Sequence, residues 1–193
     1  MNRKTAAVNM CLAAFAACIN IAGGQIALIF RLPVYLDSIG TILTGVLLGP
    51  FYGMVPNLLS GIIMGMTSDI YSLYFAPVGM ITGFMAGIVS RCFREKVLCG
   101  YAVLPAAAAC ITVPGTVVSS LICAKLFGGI TSSGSTVLIQ LLSHTALGMT
   151  ASVFAVQVLT DYLDRLLSLY LVGVLVRVLP ADLKRSCFRG KRV

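Results

Sequence analysis

Four polar side chains stand close together late in this chain: Gln157, Asp161, Asp164 and Arg165. Steps of four and three residues put the first three on one face of a helix. A carboxylate on such a face accepts hydrogen bonds from two donors, such as ring N–H groups or ribose hydroxyls. Other polar and aromatic residues gather where apolar runs end. Gln25, Arg31, Tyr35 and Asp37 surround one such point. Asp69, Tyr71 and Tyr74 surround another; Asn57 lies within a run, and His144 follows a later loop. Together these read as a capture set for a small molecule, with carboxylates and amides for hydrogen bonding and tyrosines for stacking. No H-E-x-x-H, G-x-S-x-G or P-loop occurs, so no catalytic residue is assigned and ATP hydrolysis by this chain alone is not expected. His144 is the single histidine, and the seven cysteines form no C-x-x-C pair, so neither a metal site nor a cofactor is expected.

Each of these residues also has a plainer reading. Asp161 and Arg165 have the i, i+4 spacing of a helix-surface ion pair. Asp37 stands beside Ser38 at the start of a helical run and suits a helix cap. Asp69, Tyr71 and Tyr74 suit a membrane interface, His144 suits packing, and Asn57 with Ser60 suits a helix–helix hydrogen bond.

The elements that must position these groups are apolar. Of 193 residues, 59% are hydrophobic and 10% charged, against about 25% charged in soluble domains. The mean hydropathy is +0.99, which leaves too little polar surface to cover a water-facing globule. A span takes roughly 20 apolar residues, and the apolar runs supply about six. They run from about Thr5 to Ile29, Ser38 to Leu48, Phe51 to Met66, Leu73 to Ser90, Leu98 to Phe127 and Gln157 to Leu179. The second and third are short, with Gly49-Pro50 between them, and short interrupted spans mark places where a membrane protein opens a polar cavity. The stretch from Thr136 to Val156 is only moderately apolar and reads as a re-entrant or membrane-surface hairpin.

Charge supports that count. The net charge is +8, and the basic residues cluster at the ends of apolar runs: Arg3 and Lys4; Arg91, Arg94 and Lys96; Lys184, Arg185, Arg189, Lys191 and Arg192. Six spans put all three clusters on the cytoplasmic side, whereas a seventh would send one basic end outward. The expectation is one multi-pass domain of the cell membrane over residues 1–193. Both termini are cytoplasmic and a basic tail begins at about residue 181. The run from Arg3 to Ala22 has the form of a secretory signal, but the basic clusters keep phase only if it stays. No basic stretch is interleaved with aromatics, so no nucleic acid partner is expected. Small residues recur four apart at Ala13 and Ala17, Gly45 and Gly49, Gly61 and Gly65, and Gly79, Gly83 and Gly87, which lets helices approach closely in lipid.

The run Leu32-Pro33-Val34-Tyr35-Leu36-Asp37-Ser38-Ile39-Gly40-Thr41, then Gly45 to Gly53 with its Gly-Pro turn, resembles the substrate-binding S components of energy-coupling factor (ECF) transporters. The segment Phe127 to Gly134 is similar to theirs. So is the ending, Asp161-Tyr162-Leu163-Asp164-Arg165-Leu166-Leu167-Ser168 with the apolar run to Pro180. The resemblance covers nearly the whole chain. It implies an all-α bundle of six transmembrane helices that binds a vitamin or other small metabolite at its outer face, and Asp37, Asp161 and Asp164 with Tyr35, Tyr71 and Tyr74 make a nucleoside-like or heterocyclic vitamin-like ligand the expectation. It further implies a complex with one transmembrane scaffold subunit and two ATPase subunits. Ala13 and Ala17 match the small-residue face that docks on the scaffold, although Asn9 stands where the family has alanine. Delivery would be by toppling of the bundle on the scaffold. The competing reading is a stand-alone secondary carrier or channel for a small solute.

Overall fold

The computed structural model describes residues 3–92, 103–132, 134–143 and 148–178, with side chains from residue 6 onward. Apolar runs rich in alanine and leucine fold there as seven helices, although Pro56, Pro77 and Pro114 lie inside three of them. They are α1 (Arg3–Ile29), α2 (Ile39–Leu48), α3 (Pro50–Thr67), α4 (Ile70–Cys92), α5 (Leu104–Leu126), α6 (Ser135–Ser143) and α7 (Gly148–Val178). Three stretches are long and apolar enough to cross a membrane: Ala6–Ile29, Ile70–Cys92 and Leu104–Leu126. α2 rises only about 15 Å at the helical pitch. Large apolar side chains such as Met10, Phe15, Phe51, Met66 and Leu141 lie on the outside, each more than 60% exposed. An exterior of that kind belongs in lipid rather than water, and these are the helices of a membrane protein.

The turns follow local chemistry. Gly49, at a φ of 102°, ends α2, and Pro50 opens α3 in the position where its missing N–H costs nothing. Asp69 caps α4, accepting from the Tyr71 backbone N–H at 3.3 Å and from Ser72 Oγ at 3.1 Å. That cap starts the helix at Ile70, three residues before the expected Leu73. The Gly129 N–H closes the end of α5 onto the Cys123 carbonyl at 3.0 Å.

Small residues bring the helices together. Gly45 and Gly53 flank the Gly49 turn, so α2 and α3 form a hairpin whose two glycines both face Gly83 of α4. A Cβ on Gly45 would come within 2.7 Å of the Gly83 carbonyl oxygen. Further along, Gly61 meets Ala76 and Gly65 meets Leu73, so α3 and α4 pack antiparallel. Asn20 joins α1 to α2: it donates to Thr41 Oγ1 at 2.7 Å and accepts from the Gly40 N–H at 2.8 Å. One apolar core combines Ile42 and Leu47 of α2, Ala86 of α4, Ala107 and Ile111 of α5, and Leu169 and Val172 of α7.

Two expectations change. Residues 148–156 are not part of a separate hairpin; they form the first turns of α7, which runs unbroken for 31 residues. The reason is packing: Val153 and Val156 are buried with Cys123 of α5 and Ile139 of α6, so this stretch continues the helix against its neighbours, and only α6 remains a separate short helix. Ala13 and Ala17 do not lie on an outward docking face. They are 4% and 5% exposed, because this side of α1 carries the close approach of Ala16 to Gly40 of α2. His144, the expected start of the fifth helix at Leu98, the basic residues Arg94 and Lys96, and the basic tail lie outside the described residues.

Candidate ligand cavity

The segment between α1 and α2 folds over one end of the bundle. Arg31 and Leu36 hold φ angles of 48° and 53°, the left-handed region that non-glycine residues enter only when their surroundings impose it. The surroundings of Leu36 are specific. Its carbonyl presses on Gly23, where a Cβ would overlap it. Its N–H donates to Asp164 Oδ1 at 2.8 Å. Two residues on, Ser38 Oγ donates to Asp164 Oδ2 at 2.7 Å and lies 3.0 Å from Ser168 Oγ. The loop is therefore tied down on α7 through one buried carboxylate.

Arg165 completes that cluster. Its Nη1 pairs with Asp164 Oδ2 and donates to Ser38 Oγ at 3.2 Å. Its Nε donates to Thr82 Oγ1 at 3.3 Å. Its salt bridge is thus with adjacent Asp164, not with Asp161 four residues earlier. Asp161 turns to α5, where Thr116 and Ser119 each donate to its Oδ2 at 2.9 Å.

Between these groups lies a partly open hollow of about 50 Å³. That volume holds about three to five waters, and the hollow opens beyond it to the surface. The loop contributes Pro33, Val34, Tyr35 and Asp37 to its wall. α3 contributes Asn57, and α4 contributes Ser72, Phe75, Val78 and Gly79. α5 contributes Ser119, and α7 contributes Gln157, Thr160, Asp161, Asp164 and Arg165.

Two buried amides face this space. Asn57 is 4% exposed and Gln157 is 5% exposed. Among the described residues, no hydrogen bond reaches the Asn57 side-chain amide, and the amide nitrogen of Gln157 makes none. Gln157 Oε1 has one long contact, 3.5 Å from Thr160 Oγ1. Asn57 lies directly over Gly79, so a Cβ at that glycine would overlap its amide. Both amides border the hollow, where a ligand's polar edge would meet them. Asp37 is half-buried in the loop wall. Burial, reinforced by the Asp164 charge and opposed by Arg165, pushes its pKa up to about 6.

Of the residues expected from sequence, Tyr35, Asp37, Asn57, Gln157, Asp161 and Asp164 come together here. The others do not. Gln25 donates to Ser68 Oγ at 2.6 Å at an exposed helix end. Asp69 caps α4 and accepts from Ser132 Oγ at 2.8 Å, so it serves the fold. Tyr71 and Tyr74 pack edge-on against Phe127, with ring centroids 4.7 and 5.3 Å away. Arg31 is exposed on the loop surface. Sequence reasoning passed over Phe75, Ser119 and Thr160, and assigned Arg165 to a helix-end ion pair. The one signal for Phe75 was its place four residues before Gly79, on the face that meets Asn57. No protein-family model, no curated protein and no solved structure matches this chain.

Proposed function

We propose that this protein is the substrate-binding S component of an ECF importer, which captures a small metabolite in the hollow beneath the first loop. One observation carries the reading. The two segments that most resemble that family, the Leu-Asp-Ser run of the first loop and the Asp-Arg run of the last helix, meet at the wall of this hollow. Their junction is the set of bonds from Leu36 N–H and Ser38 Oγ to Asp164. A membrane bundle that gathers one buried and two half-buried carboxylates, a buried guanidinium and two buried amides around an unfilled space is built to bind a polar solute.

On this reading α1, α2, α3, α4, α5 and α7 are the six spans and α6 lies at the membrane surface. The hollow opens outward and both termini face the cytoplasm. The chain performs no catalysis. A scaffold subunit and two ATPases energise it, and the bundle topples on the scaffold to release its cargo inward. The small residues on the outward side of α1 are Ala7, Ala14 and Ala22, and these take the scaffold-facing role.

Uptake into cells expressing the chain with and without the scaffold and ATPase partners tests this. ATP-dependent accumulation that requires the partners, and that fails with Asp161→Asn, is expected. Accumulation unaffected by removing the ATPases would replace this reading with a stand-alone carrier or channel.

A further inference from the structure

The charges around the hollow do not balance, and the imbalance carries information about what fills it. Asp164 is fully engaged: it takes a backbone N–H, a serine hydroxyl and the Arg165 guanidinium. Arg165 is thereby compensated. Asp161 and Asp37 have no such partner. Both hydroxyls on Asp161 donate to its Oδ2, so Oδ1 receives none among the described residues. No other described side chain donates to the Asp37 carboxylate. Asp37 and Asp161 thus share with Asp164 a single cation, Arg165, around a hollow whose walls also hold Asn57 and Gln157, both more than nine-tenths buried and with amide nitrogens that make no hydrogen bond among the described residues.

We propose that the ligand is a small organic cation rich in N–H donors, an amine or amidinium carried on a flat ring, seated between Asp37 and Asp161. This inference rests on the hollow being the ligand site of the importer. The cation supplies both the missing positive charge and the missing donors, since a carboxylate accepts but never donates. Desolvated charge without a counter-charge is costly, so a cation gains more here than a neutral isostere of the same shape. The flat body follows from Phe75 and Tyr35 in the wall, beside which a cation is also favoured by the ring faces. The two amides read the edge of such a ring, each offering one acceptor and two donors. A carboxylate or phosphate ligand would meet two like charges and is rejected.

The test uses the full chain in detergent with three probes of one shape: benzamidinium, benzamide and benzoate. Thermal stability and native mass spectrometry of the protein as isolated are read together. The expected result is a rise in Tm with benzamidinium alone, with affinity at least tenfold weaker in Asp161→Asn. Asp37→Asn gives the same loss, and because no other side chain depends on that carboxylate, this variant decides the matter if Asp161→Asn fails to fold. A shift with benzamide or benzoate as large as that with benzamidinium overturns the charge class but leaves the hollow as the site. No shift with any probe, together with no organic cation bound to the isolated protein, overturns both the charge class and the site.

Discussion

Asp164→Asn is the most informative single substitution in this protein. The carboxylate takes the Leu36 N–H on one oxygen and Ser38 Oγ with Arg165 on the other. An amide keeps one oxygen, so its NH2 group must oppose a donor on the other side. If it turns toward Leu36, the strained loop loses its anchor; if it turns toward Arg165, a guanidinium only 7% exposed loses its partner. Removing one member of a buried pair costs about 3–5 kcal/mol. Asp161 and Asp37 also act on Arg165 electrostatically and offset part of the loss, which selects the lower end, about 3 kcal/mol. At about 2–4 °C per kcal/mol for a chain of this size, Tm falls by about 6–12 °C. Far-ultraviolet circular dichroism in detergent measures it. Adding Arg165→Met removes the stranded charge and recovers roughly half of the loss. A Tm within about 2 °C of the parent would refute the idea that Asp164 holds the loop on α7.

Three further outcomes follow from the same geometry. Asn20→Ala strands the Gly40 N–H and the Thr41 hydroxyl in a fully buried site, so thermal unfolding should show a loss of about 1–3 kcal/mol. Gly79→Ala drives the Asn57 amide out of the hollow, so calorimetric titration of the ligand should show about tenfold weaker binding for a loss of about 1–3 kcal/mol in stability. Asp37 has a folded pKa of about 6 against an ordinary 3.8. The charged groups acting on it are Asp164, Arg165 and Asp161, all on α7. Because the folded state favours the protonated form, stability from this group is greatest below 3.8 and is lost as pH rises through about 6. The ligand-free protein should therefore melt higher at about pH 5 than at about pH 7.5, and Asp37→Asn should lessen that difference in a pH series of Tm. For a cationic ligand the trend reverses: calorimetric affinity falls below about pH 6 as Asp37 takes up a proton.

What the amino-acid sequence determined by itself was everything local. Apolar runs long enough to cross a membrane, a Gly-Pro turn and small residues four apart were all legible, because each depends on neighbours within a turn or two. The glycine stripe at Gly79, Gly83 and Gly87 could be read directly as a packing face. The start of α7 could not, because in lipid both sides of a helix are apolar and the amphipathic signal that marks a boundary in water is weak. The tertiary structure alone decided which polar groups share a space. Asp69 and Asp161 look alike in sequence, yet one caps a helix and the other borders the hollow. Ser38 and Asp164 stand 126 residues apart and meet at 2.7 Å. Helical spacing puts side chains on a common face, but the rotation of each helix about its own axis is set by how its small residues nest against the next helix. That rotation turned Asp164 toward the loop and Asp161 toward α5, which left Asp161 and Asp37 beside an unfilled space with their charges unbalanced.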